Sequence, residues 1–149
     1  MATVYGDNYT KFLAASPASF LGPCWNGPVK CIFDKYTFAS AQAGEVVKVG
    51  TLYAGEVYLM GWIIAADLSS AGTLILGDTG VTDGTDTGDA DRYLTATVFT
   101  TTGQMTACAR YGTSLGLGYK TTVDRTFIIT TATEEMTGVF HVLILKGGF

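Results

Sequence analysis

Residues Thr73 to Phe99 read TLILGDTGVTDGTDTGDADRYLTATVF. Thr73–Leu76 and Tyr93–Phe99 are rich in β-branched, aliphatic and aromatic residues, the composition of strands. Between them Asp78, Asp83, Asp86, Asp89 and Asp91 are spaced by Gly and Thr. Gly accepts unusual backbone angles and Asp bonds its own backbone, so such a stretch forms turns. The segment is therefore strand, polar loop, strand, and none of it carries a helical stripe.

Asp-Thr-Gly occurs twice in this loop, at Asp78 and Asp86. Aspartic proteases use that tripeptide because two carboxylates must share one proton, leaving one acid and one base. Such enzymes set one copy in each lobe or subunit, inside an apolar framework. Here both copies fall in one polar loop, which reads as exposed, so no enzyme is expected. The alternative chemistry is calcium, which takes six to eight oxygen ligands. Asp86, Asp89 and Asp91 are the candidate metal ligands, but their spacing matches no EF-hand. No cofactor is expected; a structural calcium stands as the alternative to a solvated turn.

Working outward, all three prolines (Pro17, Pro23 and Pro28) fall in the first 28 residues. Gly-Pro at Gly22 and Gly27 punctuates that stretch. It reads as an extended N-terminal arm over residues 1–28, packed on its own domain or reaching a neighbour. The remainder, 29–149, reads as one all-β domain. Val29–Phe38 places Val29, Cys31 and Phe33 on one strand face. Glu45–Leu52 offers Val47, Val49 and, after Gly50, Leu52. Val57–Ala66 lacks a polar face, which suggests a strand buried on both sides or a short helix. Leu115–Tyr119 is a short glycine-rich strand, Arg125–Thr131 and Gly138–Lys146 are the clearest strands, and Thr100–Gly112 is unassigned. Six to eight short strands argue for a sandwich or barrel.

The 149 residues suffice for one core-forming domain. Only 15% are charged while 48% are hydrophobic, and mean hydropathy is +0.30. Soluble chains carry about 25% charge, so part of this surface is expected to be covered by a partner. Net charge is −4 with pI near 4.7, and the basic residues are scattered, which argues against nucleic acid. No basic-then-apolar leader is visible, and the longest apolar run, Val57–Ala66, is too short for a membrane helix. Cys24, Cys31 and Cys108 offer no metal spacing and read as small, partly buried thiols of a protein folded in a cytosol; a Cys24–Cys31 bridge is allowed but not implied. His141, the single histidine, reads as a satisfied, half-buried strand residue on the face of Val139 and Leu143. Trp25, Trp62, Tyr53, Tyr58 and Tyr93 are the aromatics from which a sugar-binding platform would have to be built; most aromatics alternate with aliphatics as core residues do.

Several stretches resemble one family. The opening MATVYGDNYTK, the pair LILGDTG and GDADRYL, the glycine-rich GLGYKTTVDRTFIITTA and the closing TGVFHVLILK are similar to decoration, or cement, proteins encoded beside the major capsid protein of tailed bacteriophages. VTDGTDT is longer than the family's usual loop. The resemblance implies a jelly-roll-like β-sandwich that clamps capsomers from the capsid exterior. It further implies the major capsid protein and its own copies as partners, a trimer before a dimer, and synthesis in the bacterial host cytoplasm. Tyr5, Phe12, Phe20 and Trp25 are the arm's candidate interface anchors. A fibre or tail-associated adhesin, including a glycan-binding module, is the alternative function on the same fold.

Overall fold

Gly44 and Gly55 take φ of 81° and 87°. Each is the third residue of a four-residue turn, closed by the Glu45 N–H donating to the Gln42 carbonyl (3.0 Å) and the Glu56 N–H to the Tyr53 carbonyl (2.9 Å). Glycine holds a positive φ there without a Cβ clash. These two turns carry the chain across from one sheet to the other and back.

The structure is a computed structural model that describes residues 3–5, 22–24, 27–68, 72–80, 88–99, 103–108, 119–132 and 136–148. Among them are ten strands: β1 (Thr3–Tyr5), β2 (Gly22–Cys24), β3 (Gly27–Ala41), β4 (Val46–Leu52), β5 (Glu56–Leu68), β6 (Gly72–Asp78), β7 (Leu94–Phe99), β8 (Gln104–Ala107), β9 (Arg125–Thr131) and β10 (Met136–Gly148). One sheet has the order β1-β4-β9-β6-β7, the other β2-β3-β10-β5-β8. The pairings are antiparallel except β1 with β4. The chain is thus all-β, a sandwich of two sheets.

The strand expectations need three corrections. Three strands are long, with 15 residues in β3 and 13 each in β5 and β10. Val57–Ala66 is strand, not helix, and it is not buried on both sides: Tyr58, Ile63 and Ala65 are buried while Met60, Trp62 and Ile64 are partly exposed. A four-residue strand, β8, lies within the stretch left unassigned. Tyr119 lies just outside any strand, and residues 115–118 lie outside the described residues.

Alternation and bulges together build the core. Val47, Val49 and Leu52 are all fully buried, although strict alternation would turn Leu52 outward. A register shift between Lys48 and Gly50 adds the extra residue that restores it. From the opposite sheet come Phe38, Phe140, Val142, Ile144, Ile63 and Tyr58. Tyr58, Tyr93 and Phe127 join the layers, with ring centroids 4.2 to 5.9 Å apart. Each such ring removes roughly 150–250 Å² from water.

Candidate assembly interface

The Asp-Thr-Gly sites come first, because the sequence singled them out. Asp78 ends β6, and its side chain is fully buried, not in the exposed turn expected of it. Oδ2 accepts from Arg92 Nε (2.7 Å) and the Tyr93 hydroxyl (2.9 Å). Oδ1 accepts from Arg125 Nη1 (2.8 Å) and the Asp89 N–H (3.3 Å). Arg92 and Arg125 also lie against the Tyr119 ring, at 4.2 and 5.4 Å from its centroid. Burial, with the Asp78 carboxylate next, pushes the Tyr93 phenol far above its usual range.

The local sequence explains this closure. A Cβ on Gly77 would overlap the backbone of Ala90, and one on Gly88 would overlap that of Asp78 and Gly80. Two glycines therefore let the ends of the loop touch, and the Asp78 N–H donates to the Asp89 carbonyl at 2.9 Å. Arg92 directly follows the loop in sequence, 14 residues from Asp78. Arg125 comes from 47 residues away, where no local pattern announces it. A carboxylate occupied by two guanidiniums and a phenol is a structural hub, with no second carboxylate among its bonded partners. Asp86 lies outside the described residues. Asp89 Oδ1 accepts the Asp91 N–H at 3.2 Å, and no metal-holding group of three His, Cys, Asp or Glu occurs among the described residues.

A second polar cluster lies at the same end of the sandwich, joined to the first where Thr121 accepts from Arg125 Nε and donates its N–H to the Glu56 carbonyl. Buried Glu56 accepts from Lys30 Nζ (2.5 Å), Lys146 Nζ (2.6 Å) and the Tyr53 N–H (2.9 Å). Lys146 also donates to the Thr51 carbonyl at 2.5 Å. Burial works against the Glu56 charge, yet the two ammonium groups win and hold its carboxyl below the usual range. Burial dominates at Lys146 and lowers its ammonium.

The outer faces of the two sheets differ in chemistry. On the first, Lys48, Thr73, Thr126 and Thr130 interrupt Val46, Ile75 and Ile128. On the second, apolar residues stand in register across four strands. Phe33 pairs with Leu143, Leu143 with Trp62, and Trp62 with Ala107. The next row runs Lys35, His141, Ile64, Met105, and the row on the other side runs Cys31, Leu145, Met60. Phe33 is 53% exposed and Met105 64%. The Phe33 ring stacks on His141 at 5.9 Å and 18°. Lys35 is the one charged side chain in these rows.

His141 therefore lies on the face expected for it, but it is not satisfied: its buried Nδ1 has no hydrogen-bond partner among the described residues. The apolar face was legible in part. Val29–Phe38 and Gly138–Lys146 place apolar residues on both strand faces, where a solvated strand would alternate with polar ones.

The remaining expected site residues are divided. Tyr5 is the last residue of β1, whose backbone pairs with Lys48. Phe12, Phe20 and Trp25 lie outside the described residues. Cys31 is an exposed free thiol and so bridges nothing; Cys108 is buried and free, and burial pushes its thiol up to about 12. Of the aromatics weighed as a sugar platform, Tyr58 and Tyr93 are fully buried.

No family model matches this sequence, and no curated protein does. Two solved structures share the fold. A chain of the capsid of Ralstonia phage GP4 superposes with a TM-score of 0.69 at 14% identity, covering 99% of each chain. A chain of the cyanophage Pam1 capsid asymmetric unit gives 0.58 at 20% identity, covering 91% of this chain and 96% of that one. At such identities the likeness is one of fold.

Proposed function

We propose that this chain is a structural protein of a tailed-phage virion, a decoration protein bound to the outside of the head. The observation that carries this reading is the end-to-end fold likeness to chains of two phage capsids. It agrees with the sequence motifs quoted above, which resemble decoration proteins over most of the chain. The jelly-roll form of the sandwich is supported by strand order. With β1 and β2 set aside, β3-β10-β5-β8 faces β4-β9-β6-β7, the arrangement of an eight-stranded double Greek key.

The partners under this reading are the major capsid protein and other copies of the chain, a trimer before a dimer. Residues 1–28 act as the arm that reaches the shell, with Tyr5, Phe12, Phe20 and Trp25 as anchors. The role is mechanical and not catalytic: the carboxylate that suggested catalysis is held by two arginines. An apolar, sparsely charged surface suits repeated weak contacts, which symmetry sums into a stable particle. The free thiols of Cys31 and Cys108 fit synthesis in a host cytoplasm.

Electron microscopy of purified virions, with the chain's stoichiometry measured in the same particles, tests this. Many copies spread over the head lattice are expected. A few copies at the tail would replace the reading with that of a fibre or adhesin, and absence from the virion would end it.

A further inference from the structure

We infer that β1 is a latch: in the free chain it stows the N-terminal arm on the edge of β4, and docking on a phage head releases it. The latch rests on the decoration reading above and adds to it when the arm becomes available.

The arm is fastened to its own body at two places. β2 pairs antiparallel with β3, and Cys24 stands opposite Gly27, so only residues 25 and 26 lie between the paired ends. β1 pairs parallel with β4, with Thr3 opposite Val46, Val4 opposite Val47 and Tyr5 opposite Lys48. The backbone of Tyr5, an anchor for the shell under the decoration reading, is thus tied to the chain's own sheet. For the arm to extend, residues 3–5 must leave β4.

The two fastenings differ in strength. The β2–β3 pairing is local, so closing it costs little chain entropy. The β1–β4 pairing joins positions 43 residues apart, and closing that span costs more. It is the one parallel pairing among the described strands, and parallel pairs are slightly weaker per residue than antiparallel ones. β2 is therefore the hinge, and β1 is the part that lets go.

β4 keeps the hold short. Its register shifts between Lys48 and Gly50, directly after the last residue paired with β1. Such a bulge bends the strand and interrupts its ladder. Farther along, Lys146 Nζ donates to the Thr51 carbonyl at 2.5 Å, so that acceptor is already engaged. Three paired residues cover part of an edge that would otherwise offer itself to foreign strands, and they are few enough to release. On its other side β4 is held by β9 at six positions, so it keeps its place when β1 leaves.

A reversible lock tests the latch. Thr3→Cys with Val46→Cys, made in a full chain carrying Cys24→Ser and Cys31→Ser, puts two thiols on paired strands. The ~4.8 Å between neighbouring strands lies within disulfide range. Oxidation of the free chain should form this bridge. Binding of the bridged chain to purified phage heads that lack the protein should fall about tenfold or more, and a reductant should restore it. The reduced form of the same protein controls for the substitutions themselves. In wild type, amide exchange over Val46–Lys48 should quicken when the chain binds heads.

The latch is overturned if the bridge does not form in the free chain, or if bridged and reduced forms bind heads alike. Exchange over Val46–Lys48 that stays unchanged on binding overturns it too. In each of these cases head binding by wild type leaves the decoration reading standing. A wild type that binds no heads defeats that reading, and the latch falls with it.

Discussion

At Asp78 a single carboxylate settles the competition between chemistry and structure. An ion in a buried site costs several kcal/mol unless its lone pairs are filled, and here four donors fill them. Removing the charge leaves Arg92 and Arg125 uncompensated. Asp78→Asn should therefore lower unfolding stability by about 3 kcal/mol, read from the urea midpoint at unchanged slope. A loss under ~0.5 kcal/mol would mean the hub is not closed as described. Glu56 makes a different, pH-dependent prediction. Its folded carboxyl lies below the usual range, so between the two values the unfolded chain binds more protons and stability rises with pH. That stabilisation is complete above the unfolded value of about 4.3 and fades as pH falls through the folded one. Melting temperatures measured down an acid series should drop less steeply for Glu56→Gln than for wild type across that window. Parallel curves would show that Glu56 does not gain from Lys30 and Lys146.

At the scale of elements, β5 shows how a local rule and a tertiary need diverge. Gly61 weakens a strand by intrinsic preference. Its reason is spatial: a Cβ there would stand 2.6 Å from the Tyr58 hydroxyl and 3.1 Å from the Leu143 carbonyl. That hydroxyl donates to the Cys108 carbonyl and ties β5 to the end of β8. Gly61→Ala should thus destabilise by roughly 1–3 kcal/mol through overpacking, seen as a lower melting temperature; an unchanged or higher one would show that the Tyr58 ring can move aside. The same contrast explains what the residues disclosed in advance. Strands dominated by β-branched residues, such as Arg125–Thr131, were legible because composition and period agree. The burial of Asp78 was not, because its second arginine arrives from β9 through the sheet, and no local pattern records a partner 47 residues away. The apolar outer face was half legible: Phe33 and Leu143 were each placed on a strand face, but only strand pairing puts them side by side with Trp62.

At the scale of the whole molecule, the strands divide into a core set and an added set. Among the residues whose side chains are described, the buried core cluster begins at Phe38, and Ile32 packs against it. β1 adds three parallel residues to the edge of β4, and β2 adds three antiparallel ones to the edge of β3. Deleting residues 2–24 therefore removes two edge pairings. The eight strands β3 to β10 should still unfold in one cooperative transition at a lower midpoint, since the backbone groups of β4 and β3 that lose partners are at edges where water replaces them. Binding to phage heads should be lost if the first 28 residues form the arm that reaches the shell. A particle-binding assay on the truncated preparation, with its fold checked by circular dichroism, measures this. Normal decoration by the truncated chain would remove the arm from the mechanism.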